Sequence, residues 1–200
     1  MTEVDRVREW IAEASRVIAA VDAGAVAGAI EALAAVRAQG GTIFLAGNGG
    51  SAATASHMAL DLQKAARGDG QATRAISLSD NVGLITAWAN DESFESVFAE
   101  QLEALARPCD ALVVISVSGS SPNLTAALRA ARAKGLVTVG LLGRDGGLAR
   151  ALVEHVVVVP SHDYGWVESA HMMLEHVITY ALRSERQASD AMLRVGQARA

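Results

Sequence analysis

The chain has 200 residues, enough for one domain with a substantial hydrophobic core, and its formal net charge is −5. Hydrophobic residues make up 51% of it but aromatic residues only 4%, which predicts a core of alanine, valine and leucine. The single cysteine, Cys109, excludes a disulfide framework and a cysteine-based zinc site within one chain. The basic residues are scattered and form no stripe, which argues against binding to nucleic acids.

The chain shows no pattern typical of a membrane-spanning or targeting segment. No apolar run approaches the ~20 residues that a spanning helix needs. The first ten residues carry Glu3, Asp5, Arg6 and Arg8, whereas a signal peptide is apolar over such a stretch. We therefore expect a cytoplasmic protein that does not bind membranes, and a reducing compartment suits its lone cysteine.

Helical spacing of apolar residues predicts two helices in the first 40 residues, and Gly40-Gly41 ends the second. From Thr42 onward, short apolar runs alternate with longer helical patterns. The runs predict strands at 42–46, 74–78, 111–115, 136–142 and 156–159. The helical patterns predict helices at 7–21, 26–37, 51–64, 82–89, 94–106, 122–134 and 165–183. This alternation predicts an α/β fold, a three-layer doubly wound parallel sheet with helices on both faces.

The same patterns divide the chain into three parts. Residues 1–40 form a helical segment that we expect to pack in an oligomer, and residues 41–184 form the α/β domain. Residues 185–200 have a weak pattern and are expected to be a tail that is disordered or docks on a partner subunit. In such sheets ligands bind beyond the carboxyl ends of the strands, so the loops that follow the strands are the candidate sites.

The first strand ends in Gly47-Asn48-Gly49-Gly50-Ser51. Glycines let the backbone approach an anion closely, and the free N–H groups of the next helix favour negative charge. A tight turn alone also explains the glycines. A dinucleotide fingerprint is a further alternative, but it requires an acidic residue about 20 positions on, where this chain has Arg67.

The third strand ends in Ser116-Val117-Ser118-Gly119-Ser120-Ser121-Pro122. Ser121 occupies an N-cap position before a proline at the first helical position, so capping explains Ser121 by itself. Capping does not explain the other three serines of the loop. Hydroxyls beside a helix N-terminus predict a phosphate site. The glycine-rich turn at 143–147 follows the next strand and is expected to form at most a wall of that site.

Five motifs in a fixed order carry a resemblance to a known family. They are GNGGS, AxxxSHMALDL, SxSGxSxN, GRDGG and ExxHxxxEH. Together they resemble the sugar isomerase (SIS) domain family, and within it the phosphoheptose isomerase group, from the first helices to about Arg183. The resemblance implies a flavodoxin-like or Rossmann-like fold and a homo-oligomer, expected to be a tetramer with sites shared between subunits. It also implies a small-molecule sugar phosphate as substrate, namely sedoheptulose 7-phosphate, isomerised through an enediol to an aldoheptose 7-phosphate.

The resemblance also implies a metal-binding and catalytic set on two helices. His57 and Asp61 are four residues apart, which places both on one helix face. By resemblance, a divalent metal is held by His57, Asp61, Glu168 and His176. Zinc is the first expectation, with iron, nickel or manganese as alternatives. Asp61 is expected to be the catalytic base, and His176 its acid partner or a metal ligand.

The spacing of acidic and histidine residues on the last helix leaves two points open. Glu168 and His176 are eight residues apart, roughly 12 Å along a straight helix. A shared metal then requires inward-leaning side chains, a curved first turn or ligands from different subunits, and the sequence does not choose among these. His171 and Glu175 have i,i+4 spacing and are expected to form an exposed pair.

The resemblance implies substrate-binding residues, and this chain departs from the family pattern at several of them. Phosphate binding is expected at Ser51, Ser116, Ser118 and Ser121, and binding of sugar hydroxyls at Asn48, Asn90 and Asp91. The other residues expected to contact the substrate are Gly49, Gly50, Asp61, Val117 and Glu168. The departures are Asp61 for glutamate, Glu168 for glutamine, Val117 for threonine and Gly165 for aspartate. Asp61 and Glu168 predict a different product epimer at C2 or a different chain length, and Val117 predicts the loss of one phosphate contact.

Two other kinds of function compete with this prediction. Some relatives with this fold are non-catalytic proteins that bind a replication initiator and have lost the histidine that corresponds to His176. Others are sugar-phosphate sensors or amino-sugar-phosphate enzymes, which carry a different acid/base set. His176 and the His57/Asp61 pair are both present here, which favours an isomerase.

Overall fold

The structure is a computed structural model that describes residues 1–64 and 73–182. The strands are β1 (Thr42–Gly47), β2 (Arg74–Ser77), β3 (Ala111–Ser116), β4 (Val137–Gly143) and β5 (His155–Val159). The helices are α1 (Glu3–Ala19), α2 (Ala23–Ala38), α3 (Gly50–Lys64), α4 (Val82–Asp91), α5 (Ala99–Leu105), α6 (Pro122–Ala133) and α7 (Tyr164–Ala181). The tail predicted at 185–200, and all but Thr73 of the loop that precedes β2, lie outside the described residues.

The strands form one parallel sheet in the order β2-β1-β3-β4-β5. This confirms the predicted doubly wound α/β fold. Strands β1 and β3 are buried along their whole length, as expected of strands covered on both faces. The chain leaves β1 toward β2 on one side and continues from β3 on the other, so a crevice opens where the carboxyl ends of β1 and β3 diverge.

Two hydrophobic clusters, one on each face of the sheet, form the core. One joins α1, α2, α3 and α7 to the sheet, and the other joins α4, α5 and α6 to it. Ala29 and Leu33 of α2 are completely buried, so α2 is part of the domain core as well as of the N-terminal segment.

Helix α1 differs from α2 because it leaves a largely apolar face exposed. The exposed residues on it include Val4, Val7, Trp10 and Ile11. Over residues 1–64 and 73–182, no single helix is long and apolar enough to cross a membrane, and only α1 and α2 together, bent by 61°, meet that criterion.

Two local elements differ from the sequence prediction. Helix α5 begins at Ala99 and not at Phe94, because the chain turns between Ser93 and Phe98 to bury Val97 and Phe98 in the core. A short 3-10 helix at Leu148–Ala151, which the sequence did not predict, follows the glycine-rich turn after β4. Its Ala149 N–H donates to the Gly119 carbonyl at 2.8 Å and joins the β4 turn to the loop after β3.

The expectation that His171 and Glu175 form an exposed pair is wrong, because both side chains are completely buried. The i,i+4 spacing shows that two residues share a helix face, but it does not show which way that face points. Within the described chain, neither ring nitrogen of His171 has a hydrogen-bond partner. Burial lowers the pKa of His171 to about 4, and the nearby Leu142 backbone opposes the shift only in part.

We expect His171 to make the fold acid-labile. Because its pKa is about 4 in the folded chain and 6.5 for an unperturbed histidine, its contribution to stability is complete above pH 6.5 and falls as pH drops toward 4. Between about pH 7.5 and pH 5, urea unfolding of the wild type should lose roughly 2 kcal/mol more than a His171→Met variant loses. Substituting the exposed His162 by Gln is the control, and an equal pH dependence in wild type and His171→Met would contradict the prediction.

Candidate active site

The loop after β1 brings a carboxylate against the start of α3. A Cβ added to Gly50 would lie 2.5 Å from Oε1 of Glu168, so only glycine admits that carboxylate at its observed position. Gly49 has φ +55°, a conformation that glycine adopts without strain. The Glu168 carboxylate therefore lies at the N-terminal turn of α3, where the helix dipole favours negative charge.

A pair of asparagines joins the loop after β1 to the first turn of α6. The Asn48 amide donates to Oδ1 of Asn123 at 2.9 Å, and Asn123 donates back to Oδ1 of Asn48 at 2.8 Å. Asn123 is almost completely buried and had no role in the sequence prediction, although it is the last residue of the SxSGxSxN motif. The pair holds the two phosphate-type loops together at the crevice between β1 and β3.

The serines of the loop after β3 make different hydrogen bonds from those that the sequence predicted. The hydroxyl of Ser116 accepts from the Gly119 N–H at 3.0 Å, and that of Ser118 accepts from the Ser120 N–H at 3.3 Å. Ser121 stands at the N-cap of α6, but its side chain makes no capping hydrogen bond. Loop structure thus accounts for the serines that capping left unexplained, and the Ser121 hydroxyl remains for a ligand at the α6 N-terminus.

Two other residues predicted to contact the substrate are buried. Val117 belongs to the hydrophobic cluster under α7, so its side chain packs in the core and only its backbone is left for a ligand. Ser51 lies in the first turn of α3 and is also buried. The glycine-rich turn after β4 contacts the serine loop closely, because a Cβ on Gly119 would overlap the Gly146 carbonyl.

Helices α3 and α7 bring two imidazoles and two carboxylates together. The members of this set, which we name the imidazole–carboxylate cluster, are His57, Asp61, Glu175 and His176, and one ligand atom from each lies within 4.8 Å of the others. The Nδ1 atom of His57 lies 2.7 Å from Oε1 of Glu175. The Nε2 atom of His176 lies 3.2 Å from the same oxygen and 3.8 Å from Oδ2 of Asp61. The two rings meet edge to face at 5.2 Å between centroids.

The cluster holds a buried acid beneath partly exposed imidazoles. Glu175 has no exposed side-chain surface, whereas His57 and His176 are 39% and 37% exposed. Burial raises the pKa of Glu175 and the Asp61 charge adds to this, while the hydrogen bond from His57 and the His176 charge oppose it. His176 Nδ1–H donates to the Met172 carbonyl at 2.9 Å, which leaves a lone pair on Nε2 in the neutral ring.

The cluster contains three of the four predicted metal ligands. His57, Asp61 and His176 come together as expected, but Glu168 does not join them in this chain. Glu168 precedes Glu175 by seven residues, about 10 Å along α7. The predicted sugar-binding pair Asn90 and Asp91 is exposed at the end of α4, on the other face of the sheet, where Asn90 donates to Asp91 at 2.8 Å.

The chemistry of the cluster fits a divalent cation. Two neutral imidazoles and two carboxylates balance a double positive charge, and such donors suit zinc and several other metals. A free Nε2 lone pair on His176 directed at two carboxylate oxygens is unfavourable unless a proton or a cation lies between them. Glu175, which sequence analysis missed, supplies one of those oxygens.

The free Ser121 hydroxyl generates a prediction about ligand binding. We expect Ser121→Ala to weaken binding of a sugar phosphate about 10- to 100-fold, because a hydrogen bond to a charged group is worth roughly 1.5–3 kcal/mol. The same change should leave thermal stability unaltered, since no capping hydrogen bond is lost. In the control, Asp163→Ala, the lost cap to the Trp166 N–H should cost about 1 kcal/mol of stability. A destabilised Ser121→Ala variant with normal ligand affinity would contradict the prediction.

This chain is similar to known proteins in its sequence. The SIS domain family model matches residues 9–143. A phosphoheptose isomerase from Pelobacter propionicus is 43% identical over 140 residues, which are 70% of this chain and 74% of that protein. One from Burkholderia pseudomallei is 39% identical over 181 residues, which are 88% of this chain and 92% of that protein.

A solved structure extends the similarity to the fold. The phosphoheptose isomerase from Neisseria gonorrhoeae superposes with a TM-score of 0.83 at 31% identity, over 90% of this chain and 98% of that one. The matches to the Burkholderia pseudomallei protein and to the solved structure cover most of each protein, whereas the family model ends at residue 143, before α7. The chain therefore belongs to the SIS domain family, within its phosphoheptose isomerase group.

Proposed function

We propose that this protein interconverts sedoheptulose 7-phosphate and an aldoheptose 7-phosphate. Its family makes it a sugar-phosphate isomerase of the aldose–ketose class. The observation that carries the finer proposal is the convergence of His57, Asp61 and His176 on adjoining helices, separate from loops that suit a phosphate. A C7 ketose phosphate needs both features, because its reacting carbons and its phosphate lie at opposite ends of the molecule.

The phosphate would bind at the N-terminus of α6. Ser121 offers a hydroxyl there that makes no capping hydrogen bond, and the N-terminus of a helix favours a phosphate. Ser116 and Ser118 shape the loop by accepting hydrogen bonds from the N–H groups of Gly119 and Ser120. The N-terminus of α3 is less suitable for a second anion, because the Glu168 carboxylate already lies against Gly50. Binding energy from the remote phosphate would offset the cost of orienting the reacting carbons.

The reaction moves one proton between C1 and C2. Asp61 would take a proton from C1 of the ketose, so that the C1–H electron pair forms the C1–C2 double bond and the carbonyl oxygen becomes an enediolate. The C1 hydroxyl would then pass its proton to that oxygen, while His176, whose Nε2 lone pair is needed for the cation, stays a ligand and takes no part in the proton transfer. Return of the proton from Asp61 to C2 then leaves an aldehyde at C1. Such a positioned base contributes ~10²- to 10⁴-fold to the rate.

A divalent cation belongs to this proposal, with zinc preferred. His57, Asp61 and His176 would hold it, and when bound it would polarise the substrate carbonyl. The predicted ligand Glu168 is better placed for substrate contact, since its carboxylate lies at the loop after β1.

The proposal includes a cytoplasmic homotetramer with shared sites. Asp61 lies about three turns along α3 from the loop after β1, so a neighbouring subunit is needed to enclose a ligand that spans both features. Exposed apolar side chains on α1 and α7 support an interface between copies of the chain. They include Trp10, Ile11, Met173 and Val177.

Asp61→Asn is expected to lower turnover of sedoheptulose 7-phosphate by at least ~10²- to 10⁴-fold, because the amide cannot accept the C1 proton. Affinity for the sugar phosphate, measured by calorimetry, should change little. The control is Glu103→Gln, an exposed carboxylate on α5 that should leave turnover unaltered. Normal turnover by Asp61→Asn would remove this residue from the mechanism. A wild type that binds sugar phosphates without converting any of them would support the non-catalytic alternative.

The replacements at Asp61 and Glu168 predict a product with an altered configuration at C2 or a preference for another chain length. The shorter Asp61 side chain and the added Glu168 charge should change which face of the enediol receives the proton. NMR of the products formed from sedoheptulose 7-phosphate measures this directly, with Glu168→Gln as the comparison. A sole product of manno configuration from both proteins would contradict the altered epimer.

A further inference from the structure

Glu175 is a buried carboxylate whose surroundings offer little to compensate its negative charge. Its side chain has no exposed surface, and the charged groups that face it are His57, His176 and Asp61. One of these groups, Asp61, is a second carboxylate. The two imidazoles, when unprotonated, bring no positive charge to balance that of Glu175. Burial of a carboxylate among these groups is costly unless a proton or a cation compensates its charge.

The spacing of the cluster matches ligands around one ion. Zinc binds nitrogen and oxygen at about 2.0–2.2 Å, which places tetrahedral ligand atoms roughly 3.3–3.6 Å apart. The successive separations from His57 to Glu175, from Glu175 to His176 and from His176 to Asp61 are 2.7, 3.2 and 3.8 Å. The separations of 3.2 and 3.8 Å lie on either side of the expected value. The 2.7 Å contact is the hydrogen bond that His57 Nδ1–H donates to Glu175, which leaves Nε2 of His57 as its donor atom for a cation.

The orientation of His176 adds a second, independent argument. Its Nδ1–H donates to the Met172 carbonyl, so the neutral ring directs the Nε2 lone pair toward oxygens of Glu175 and Asp61. Three electron-rich atoms that face one another repel unless a proton or a cation lies among them, and a divalent cation can bind all three at once. Glu168, about 10 Å away along α7, takes no part in this arrangement.

We infer that Glu175 is the second carboxylate ligand of a divalent-cation site completed within one subunit by His57, Asp61 and His176, and that Glu168 is not a ligand. This inference rests on the metal-assisted part of the proposed function. It assigns the two glutamates of α7 separate tasks: Glu175 binds the cation, and Glu168 contacts the substrate at the loop after β1.

The test measures Zn²⁺ binding to the full-length protein without substrate. Wild type, Glu175→Gln and the matched variant Glu168→Gln are stripped with a chelator. Each is then titrated with Zn²⁺ by calorimetry and unfolded thermally with and without the ion. Both substitutions remove one charge from the same helix at nearly constant shape. Because no turnover is involved, the result is independent of whether sedoheptulose 7-phosphate is the substrate.

We expect Glu175→Gln to lose more than about 100-fold in Zn²⁺ affinity, beyond the ~10- to 100-fold cost of losing an outer-shell partner. Its gain in melting temperature on Zn²⁺ addition should disappear, since that gain depends on binding. Its metal-free form should melt no lower than wild type, because a buried charge has been removed. Glu168→Gln should keep the wild-type affinity and thermal shift.

Three outcomes would overturn the inference. They are wild-type Zn²⁺ affinity in Glu175→Gln, loss of Zn²⁺ binding in Glu168→Gln, and a Glu175→Gln variant that is destabilised without the ion yet still stabilised by it. Should Glu175→Gln fail to fold, Glu175→Asp decides. It retains the charge but withdraws the carboxylate by one methylene, so weakened Zn²⁺ binding supports the inference and wild-type affinity contradicts it.

Discussion

The site depends on the contact between α3 and α7, which lie side by side and run in the same direction. Both helices follow strands of the parallel sheet, so both begin at its carboxyl edge. Gly50 lies level with Glu168 at that edge, and His57 lies level with Glu175 seven residues further along each helix. The packing of α3 against α7 therefore determines the positions of both the Glu168 carboxylate and the imidazole–carboxylate cluster. The absence of a side chain at Gly50 leaves room for the Glu168 carboxylate at that edge.

The cluster is unsuited to a purely structural role. A hydrophobic residue in place of Glu175 would avoid the desolvation cost of a carboxylate and the repulsion from Asp61. The apolar residues around it, among them Leu174 and Ile178, already belong to the core that holds α7 to the sheet. Retention of charge in such surroundings is typical of functional sites, where burial and like-charge neighbours are used to tune reactive groups.

Much of the fold could be predicted from the sequence because buried parallel strands are continuous apolar runs. The predicted ends of β1 and β3 agree with the structure to within one residue. The roles of single side chains were harder to predict. Ser121 has the sequence of a capping residue but makes no capping bond, whereas Ser116 bonds within its own loop. The prediction for Glu175 was wrong because spacing along a helix does not fix the direction of its faces, which tertiary packing decides.

The N-termini of α3 and α6, which both lie at the crevice, differ in the groups beside them. The N-terminus of α3 already has the Glu168 carboxylate beside it, while that of α6 has the free hydroxyl of Ser121 and no acidic residue in its first turn. Anions that compete for one edge of a sheet are kept apart by their own repulsion. Under the proposed function, a substrate phosphate would therefore be directed to α6, and the carbons furthest from it would extend away from that loop. Glu168 in place of a neutral amide would favour this orientation further, since reversing the ligand would bring two negative groups together.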